Sequence, residues 1–235
     1  MRTRISLAVT ALAISSAGLY VHASQAQTDR FLFSCSVFSS ATTETDLRLR
    51  FGAANVTAGS VPDLLKGAEG DRTQGTILFA QDADARVEAG WTDPIERHHL
   101  GWVRVFGAHS RWRTPGGITL GADLKTLEKL NGGPFRLTGL ATDVQGTVLS
   151  WAGGRLDGQD SKGCHIGVRL RDEGPGNSAS AAALGRQITG DRPFSSGHPA
   201  FQALNPTVYE LVIGFVRPAL PGAAPLSGNM RDSRQ

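Results

Sequence analysis

Chemistry-bearing motifs are what this chain lacks most. It has no phosphate loop, no Gly-x-Gly-x-x-Gly after a strand, no Gly-x-Ser-x-Gly elbow and no His-Glu-x-x-His pair. Aromatic residues make up only 7% of it, so large aromatic clusters are few and each one counts. Past the amino-terminal segment no apolar run approaches the roughly 20 residues that a membrane-spanning helix needs, which excludes an integral helical membrane protein. Clustered positive charge is missing too. The formal net charge is +3, but Lys and Arg are dispersed among Asp and Glu, and nucleic-acid binding needs a basic patch. Nucleic acid is therefore excluded as a partner, and no cofactor is implied.

The amino-terminal segment has its own logic. Arg2 and Arg4 precede an apolar run from Ile5 to Leu19, followed by two small-x-small sites, Val21-His22-Ala23 and Ser24-Gln25-Ala26. That order is the signature of a cleavable secretory signal over residues 1–26, with cleavage near residue 23 or 26, and it predicts a periplasmic or secreted bacterial protein. Removing Arg2 and Arg4 from 24 Lys+Arg leaves 22 against 21 Asp+Glu, close to +1 for the mature chain. In an oxidising compartment the two cysteines, Cys35 and Cys164, are expected to form one disulfide. It would close a loop of more than 100 residues, for which chain entropy gives on the order of 4–5 kcal/mol.

The remainder predicts one α+β domain over 27–216: an antiparallel sheet with two short helices on one face. A first strand is read at 31–38. Thr43 with Asp46 three residues on forms a helix-start signal, and Gly52 a stop. Residues 57–74, polar and glycine-containing, read as a loop. Alternating strands follow near 76–79, 85–91 and 102–106, an antiparallel meander. Leu124, Leu127 and Leu130 mark a second helix between Asp123 and Asn131-Gly132. Strand-like runs come next at 135–140, 146–151 and 165–170. Then comes a long, partly mobile loop at 171–199 with a helical turn at 179–184, and a last strand at 208–216. The tail, 217–235, reads as disordered. Gln74-Gly75-Thr76-Ile77-Leu78 echoes Gln145-Gly146-Thr147-Val148-Leu149, which suggests an internal pseudo-repeat.

Two constellations stand out as candidate sites. Asp93, Glu96, His98 and His99 lie within seven residues and offer carboxylate and imidazole ligands suited to a divalent metal. Adjacent histidines on a strand point to opposite sides, however, so a solvated loop is the plainer reading. The second is Ser110-Arg111-Trp112-Arg113-Thr114-Pro115. Trp112, flanked by Arg111 and Arg113, is expected at the surface as a contact residue, since Trp is enriched at interface hot spots.

The segment Gly117-Ile118-Thr119-Leu120-Gly121, with Leu127-Glu128, Leu130-Asn131-Gly132 and Pro134-Phe135, resembles a family of uncharacterised bacterial exported proteins. Phe51 to Val56, Gly163-Cys164-His165 and Asn205 to Tyr209 resemble that family's other landmarks. Leu140-Ala141-Thr142-Asp143 departs from its aromatic-rich pattern. A looser resemblance, to periplasmic modules of the β-lactamase-inhibitor-like type, implies an antiparallel sheet that binds other proteins. Taken together, the sequence favours a non-enzymatic module that binds a protein or envelope component. The alternatives are a metal-dependent or other hydrolase centred on Asp93–His99 and a structural accessory protein of the envelope.

Overall fold

The computed structural model describes residues 30–65, 68–140, 146–159, 163–172 and 179–215, with side chains left aside at 68–70. The chain divides into two compact units, 1–31 and 32–235, and the second carries the fold. The expected signal segment and the tail from 217 lie outside the described residues.

The unit is α+β, as its alternating strands and capped helices predict. Eight of the elements place the site. Helix α1 (Glu44–Phe51) leads into strands β1 (Val56–Asp63), β2 (Ala68–Leu78), β3 (Val87–Asp93) and β4 (His98–Phe106). Helix α2 (Leu124–Asn131) follows, and later β7 (His165–Arg171) and β9 (Thr207–Gly214). Between them lie three short strands, β5 (Arg136–Leu137), β6 (Val148–Ser150) and β8 (Phe194–Ser195), and two helices, α3 (Ala179–Gln187) and α4 (Pro199–Leu204). The main sheet runs β1-β2-β3-β4-β9-β7 with every neighbour antiparallel; β6-β5-β8 form a second, small one.

Both sequence-predicted helices form where their caps place them. At α1 the Thr43 side chain accepts from the Asp46 amide while Asp46 accepts from the Thr43 amide, a reciprocal capping box. Leu47 and Phe51, four apart, are the buried pair. At α2 the Asp123 carboxylate accepts from the Thr126 amide at 2.7 Å, and Gly132 ends the helix at φ 86°, a conformation that glycine takes without a Cβ penalty. Leu124 and Leu127 are buried; Leu130 is half-buried.

Four expectations need correcting. Residues 31–38 are not a strand: Ser34 accepts from the amides of Val37 and Phe38 in tight turns. Those turns send both Phe33 and Phe38 into the core without period-2 alternation. Residues 57–74 are not a loop but most of the β1–β2 hairpin. Its glycines, aspartates and proline have low strand propensity, and pairing with the rest of the sheet overrides that. Gly59 faces Gly75 there, which lets Ile77 fold over Gly59 and Val61 over Gly75. The loop expected at 171–199 contains α3 and β8, with 173–178 outside the described residues. The two Gly-Thr echoes are also not structural equivalents. Gly75 sits inside an 11-residue strand of the large sheet, whereas Gly146, at φ 60°, is pressed against the Leu170 carbonyl.

The main core lies on one face of the large sheet, hereafter the inner face. Val87, Ala89, Val103, Val105, Leu211, Ile213, Ile166 and Val168 point that way and are buried. Over them sits an aromatic cluster of Phe33, Phe38, Phe51 and Trp112, with ring centroids 5.8–6.4 Å apart. The expected disulfide is present: Cys35 and Cys164 are bonded with Cα atoms 6.0 Å apart, joining the amino-terminal turns to the start of β7 across 129 residues.

Candidate binding face

The Asp93–His99 segment is the turn between β3 and β4. Asp93 Oδ1 accepts from the amides of Ile95 and Glu96 at 3.1 and 3.0 Å, so the carboxylate that would lead a metal site caps the turn instead. Arg97 anchors the loop inward. Its guanidinium donates to Glu44 Oε2 at 2.9 Å, and its carbonyl accepts from the Glu44 amide. Glu96, His98 and His99 are exposed, and the two imidazole centroids lie 6.5 Å apart with their rings nearly perpendicular. Among the described residues no group of three or more His, Cys, Asp or Glu side chains is placed to hold a metal ion.

Glu44, which receives Arg97, is the hub of that corner. Arg48 donates to its Oε1; Thr76 donates to its Oε2 at 3.0 Å and in turn accepts from the Trp91 indole N–H. Burial pushes the Glu44 carboxyl up, but hydrogen bonds from Arg48, Thr76 and Arg97 outweigh it and hold the group below its ordinary value.

Trp112 does not lie at the surface. It is wholly buried, at 0% exposure, and its indole N–H donates to the Ala85 carbonyl at 2.8 Å. The expectation of a surface contact residue is therefore corrected. The flanking arginines stay outside because the extended backbone alternates. Arg111 pairs with Asp82, and the Arg113 backbone bridges both Leu32 and Thr119. An apolar aromatic between two arginines is what a period-2 segment crossing a core boundary looks like.

The arrangement that sequence reasoning missed lies on the outer face of the large sheet. Cross-strand register puts Glu88 opposite Arg104, and Glu210 opposite both Phe106 and Arg169. Their side chains form one continuous chain of ion pairs across four strands. Arg86 and Arg104 reach Glu88 at 3.2 and 3.0 Å, and Arg104 and Arg169 reach Glu210 at 3.2 and 2.8 Å. Glu88 and Glu210 are only 4% and 3% exposed, so each depends on its two guanidinium partners to offset the cost of burying charge. Aromatic rings flank the chain: the Arg104 guanidinium lies 4.3 Å from the Phe106 centroid, and Arg169 and Arg171 lie 5.4 and 5.1 Å from that of Tyr209. Phe106 is 41% exposed. Beside this ladder the β1–β2 hairpin curls over the same face, where Val61, Leu64, Ile77, Trp102 and Val212 pack together. The one signal available in the sequence was the alternation in His165-Ile166-Gly167-Val168-Arg169-Leu170-Arg171. It separates a buried apolar row from an outward row of His, Gly, Arg and Arg.

A second polar cluster, Ser196 with Glu128 and Gln202, is internal. Ser196 Oγ donates to Glu128 and accepts from the Phe135 amide, and the serine is fully buried. It ties α2 to α4 and presents no reachable nucleophile.

The fold and site thus define an α+β protein whose antiparallel sheet buries one face under aromatics and presents an arginine–glutamate ladder on the other. No family model matches the chain, and no curated protein or solved structure is significantly similar to it.

Proposed function

We propose that the protein is an exported, non-enzymatic module that binds a protein or envelope component through the outer face of its large sheet. The ladder is the observation that carries this reading. A sheet face carrying interlocked charges, with the exposed Phe106 stacked on Arg104, offers rigid, preorganised groups for recognition. Guanidiniums stay protonated near neutral pH, so the chemistry on offer is electrostatic and contact-based rather than acid–base. Export is supported by the order of residues 1–26, and the Cys35–Cys164 bond is compatible with an oxidising compartment.

Two measurements test the reading. Expressed at full length in a bacterium, the protein should reach the periplasm or medium with an amino terminus just after Ala23 or Ala26; an intact first segment in the cytoplasm would refute export. Immobilised mature protein should retain an envelope component, and Phe106→Ala should weaken that retention. If every captured component is held equally by the variant, the outer face is not the binding surface.

A further inference from the structure

We infer that the free edge of β1 is a self-association surface, on which two copies pair antiparallel about Ala58 and join their large sheets into one. Strand β1 ends the main sheet, and among the described residues no strand pairs with its far side. The backbone decides which groups face outward. The Phe79 amide donates to the Asn55 carbonyl at 2.8 Å, and the register runs on from there without slip as far as Pro62 opposite Arg72. Antiparallel pairs alternate between bonded and non-bonded, so Thr57, Gly59 and Val61 bond to β2. Val56, Ala58 and Ser60 turn their N–H and C=O groups the other way. Two of those six groups are already engaged: the Val56 N–H donates to the Ala53 carbonyl, and the Ser60 carbonyl accepts from Arg72 at 2.5 Å. Four remain for a partner, namely the Val56 carbonyl, both groups of Ala58 and the Ser60 N–H.

That set is its own complement. With Ala58 facing Ala58 of a second copy, each Ala58 N–H donates to the other's carbonyl, and each Ser60 N–H donates to the other's Val56 carbonyl. The four bonds use every open group of both edges, and the two engaged groups of each copy fall opposite one another. Moving the two-fold by one residue either way would set an open group of Ala58 against an engaged one. Side chains permit the approach. No residue from Phe51 to Pro62 is charged, in a chain that is 19% charged, and none from Thr57 to Ser60 is larger than threonine. Thr57, Ala58 and Ser60 are exposed. Edge strands that stay alone are commonly guarded by charge or proline, and the one proline here, Pro62, lies beyond the paired stretch. The two-fold stands across the joined sheet, so both outer faces would look the same way. This goes beyond the binding reading above and does not depend on it.

The test is sedimentation of the mature, disulfide-bonded protein over a concentration series, with amide exchange followed at the dilute and concentrated ends. The mass should rise from one chain to two. The Ala58 and Ser60 amides should exchange at least about tenfold more slowly in the pair, while those of Thr57 and Gly59, already bonded to β2, change little. Ala58→Pro removes two of the four bonds and Ala58→Lys sets like charges face to face, so each should weaken association by about tenfold or more. The Ala58 N–H points away from β2, so both variants should melt as wild type does when dilute. If Ala58→Pro melts lower, Ala58→Lys and the wild-type exchange decide. Leu49→Lys, on the exposed side of α1, should leave the mass series unchanged. A single-chain mass at every concentration would overturn the inference. So would a pair that forms equally in Ala58→Lys, or one that leaves Ala58 and Ser60 exchange unaltered. Loss of the pair in Leu49→Lys would overturn it in favour of a contact through α1.

Discussion

Trp112 shows how far a single residue can depart from its sequence neighbourhood. Two adjacent arginines and a nearby proline make a surface context, yet the indole is enclosed by Phe33, Phe38 and Phe51. Nothing local encodes this; the aromatics that receive it come from segments more than 60 residues away. Trp112→Ala should cost about 3–5 kcal/mol in urea unfolding because it leaves a cavity among rings that are themselves fixed. Trp112→Phe should cost less and mainly report the Ala85 carbonyl left without its donor, about 1–3 kcal/mol. If the Ala variant unfolds at the wild-type midpoint, the aromatic cluster is not the core. Glu44 gives a second prediction at this scale. Its folded-state value is lowered, so its contribution is complete above the ordinary value of 4.5 and drains away as pH falls through the lowered one. The stability gap between wild type and Glu44→Gln should therefore shrink as the solution is acidified below that value. A gap that stays constant throughout would show that the Arg48, Thr76 and Arg97 bonds do not favour the charged form.

Elements were legible in proportion to how local their signals are. Both helices announced by capping residues form within a residue of where those caps put them, because a cap is satisfied by amides two or three positions away. Thr43→Ala should accordingly cost about 1 kcal/mol by chemical denaturation, and a loss indistinguishable from zero would mean that tertiary packing alone holds α1. The β1–β2 hairpin was illegible for the complementary reason: its glycines matter for what crosses them, not for the chain on either side. Gly90 on β3 is the sharpest case. A Cβ there would lie 2.2 Å from the Trp102 indole nitrogen, so the ring rests flat on the strand. Gly90→Ala should destabilise by about 1–3 kcal/mol through overpacking, visible as a lower urea midpoint. An unchanged midpoint would mean that Trp102 swings aside freely. The ladder was hidden in the same way, since Glu88, Arg104, Arg169 and Glu210 lie on four strands and only register brings them together.

At the scale of the whole molecule the disulfide was the most legible feature, deduced from two cysteines and a compartment. Its stabilising effect should be large because it spans 129 residues. The double variant Cys35→Ser/Cys164→Ser should lose about 2–5 kcal/mol, and reductant should lower the melting temperature of wild type but not of the variant. Equal melting with and without reductant in wild type would show that the bond merely decorates a fold held by other means.

The strand order β4-β9-β7 carries one more consequence, which concerns time. Strand β9 follows every other strand of its sheet along the chain, yet it sits between two of them and supplies Glu210 to the ladder. As the polypeptide emerges, β4 and β7 each wait with an open edge, and the carboxylate that will join Arg104 to Arg169 has not yet been made. The sheet is therefore finished from the inside, by its latest piece, and a chain cut short before residue 207 would be left with two templates for aggregation rather than a smaller fold.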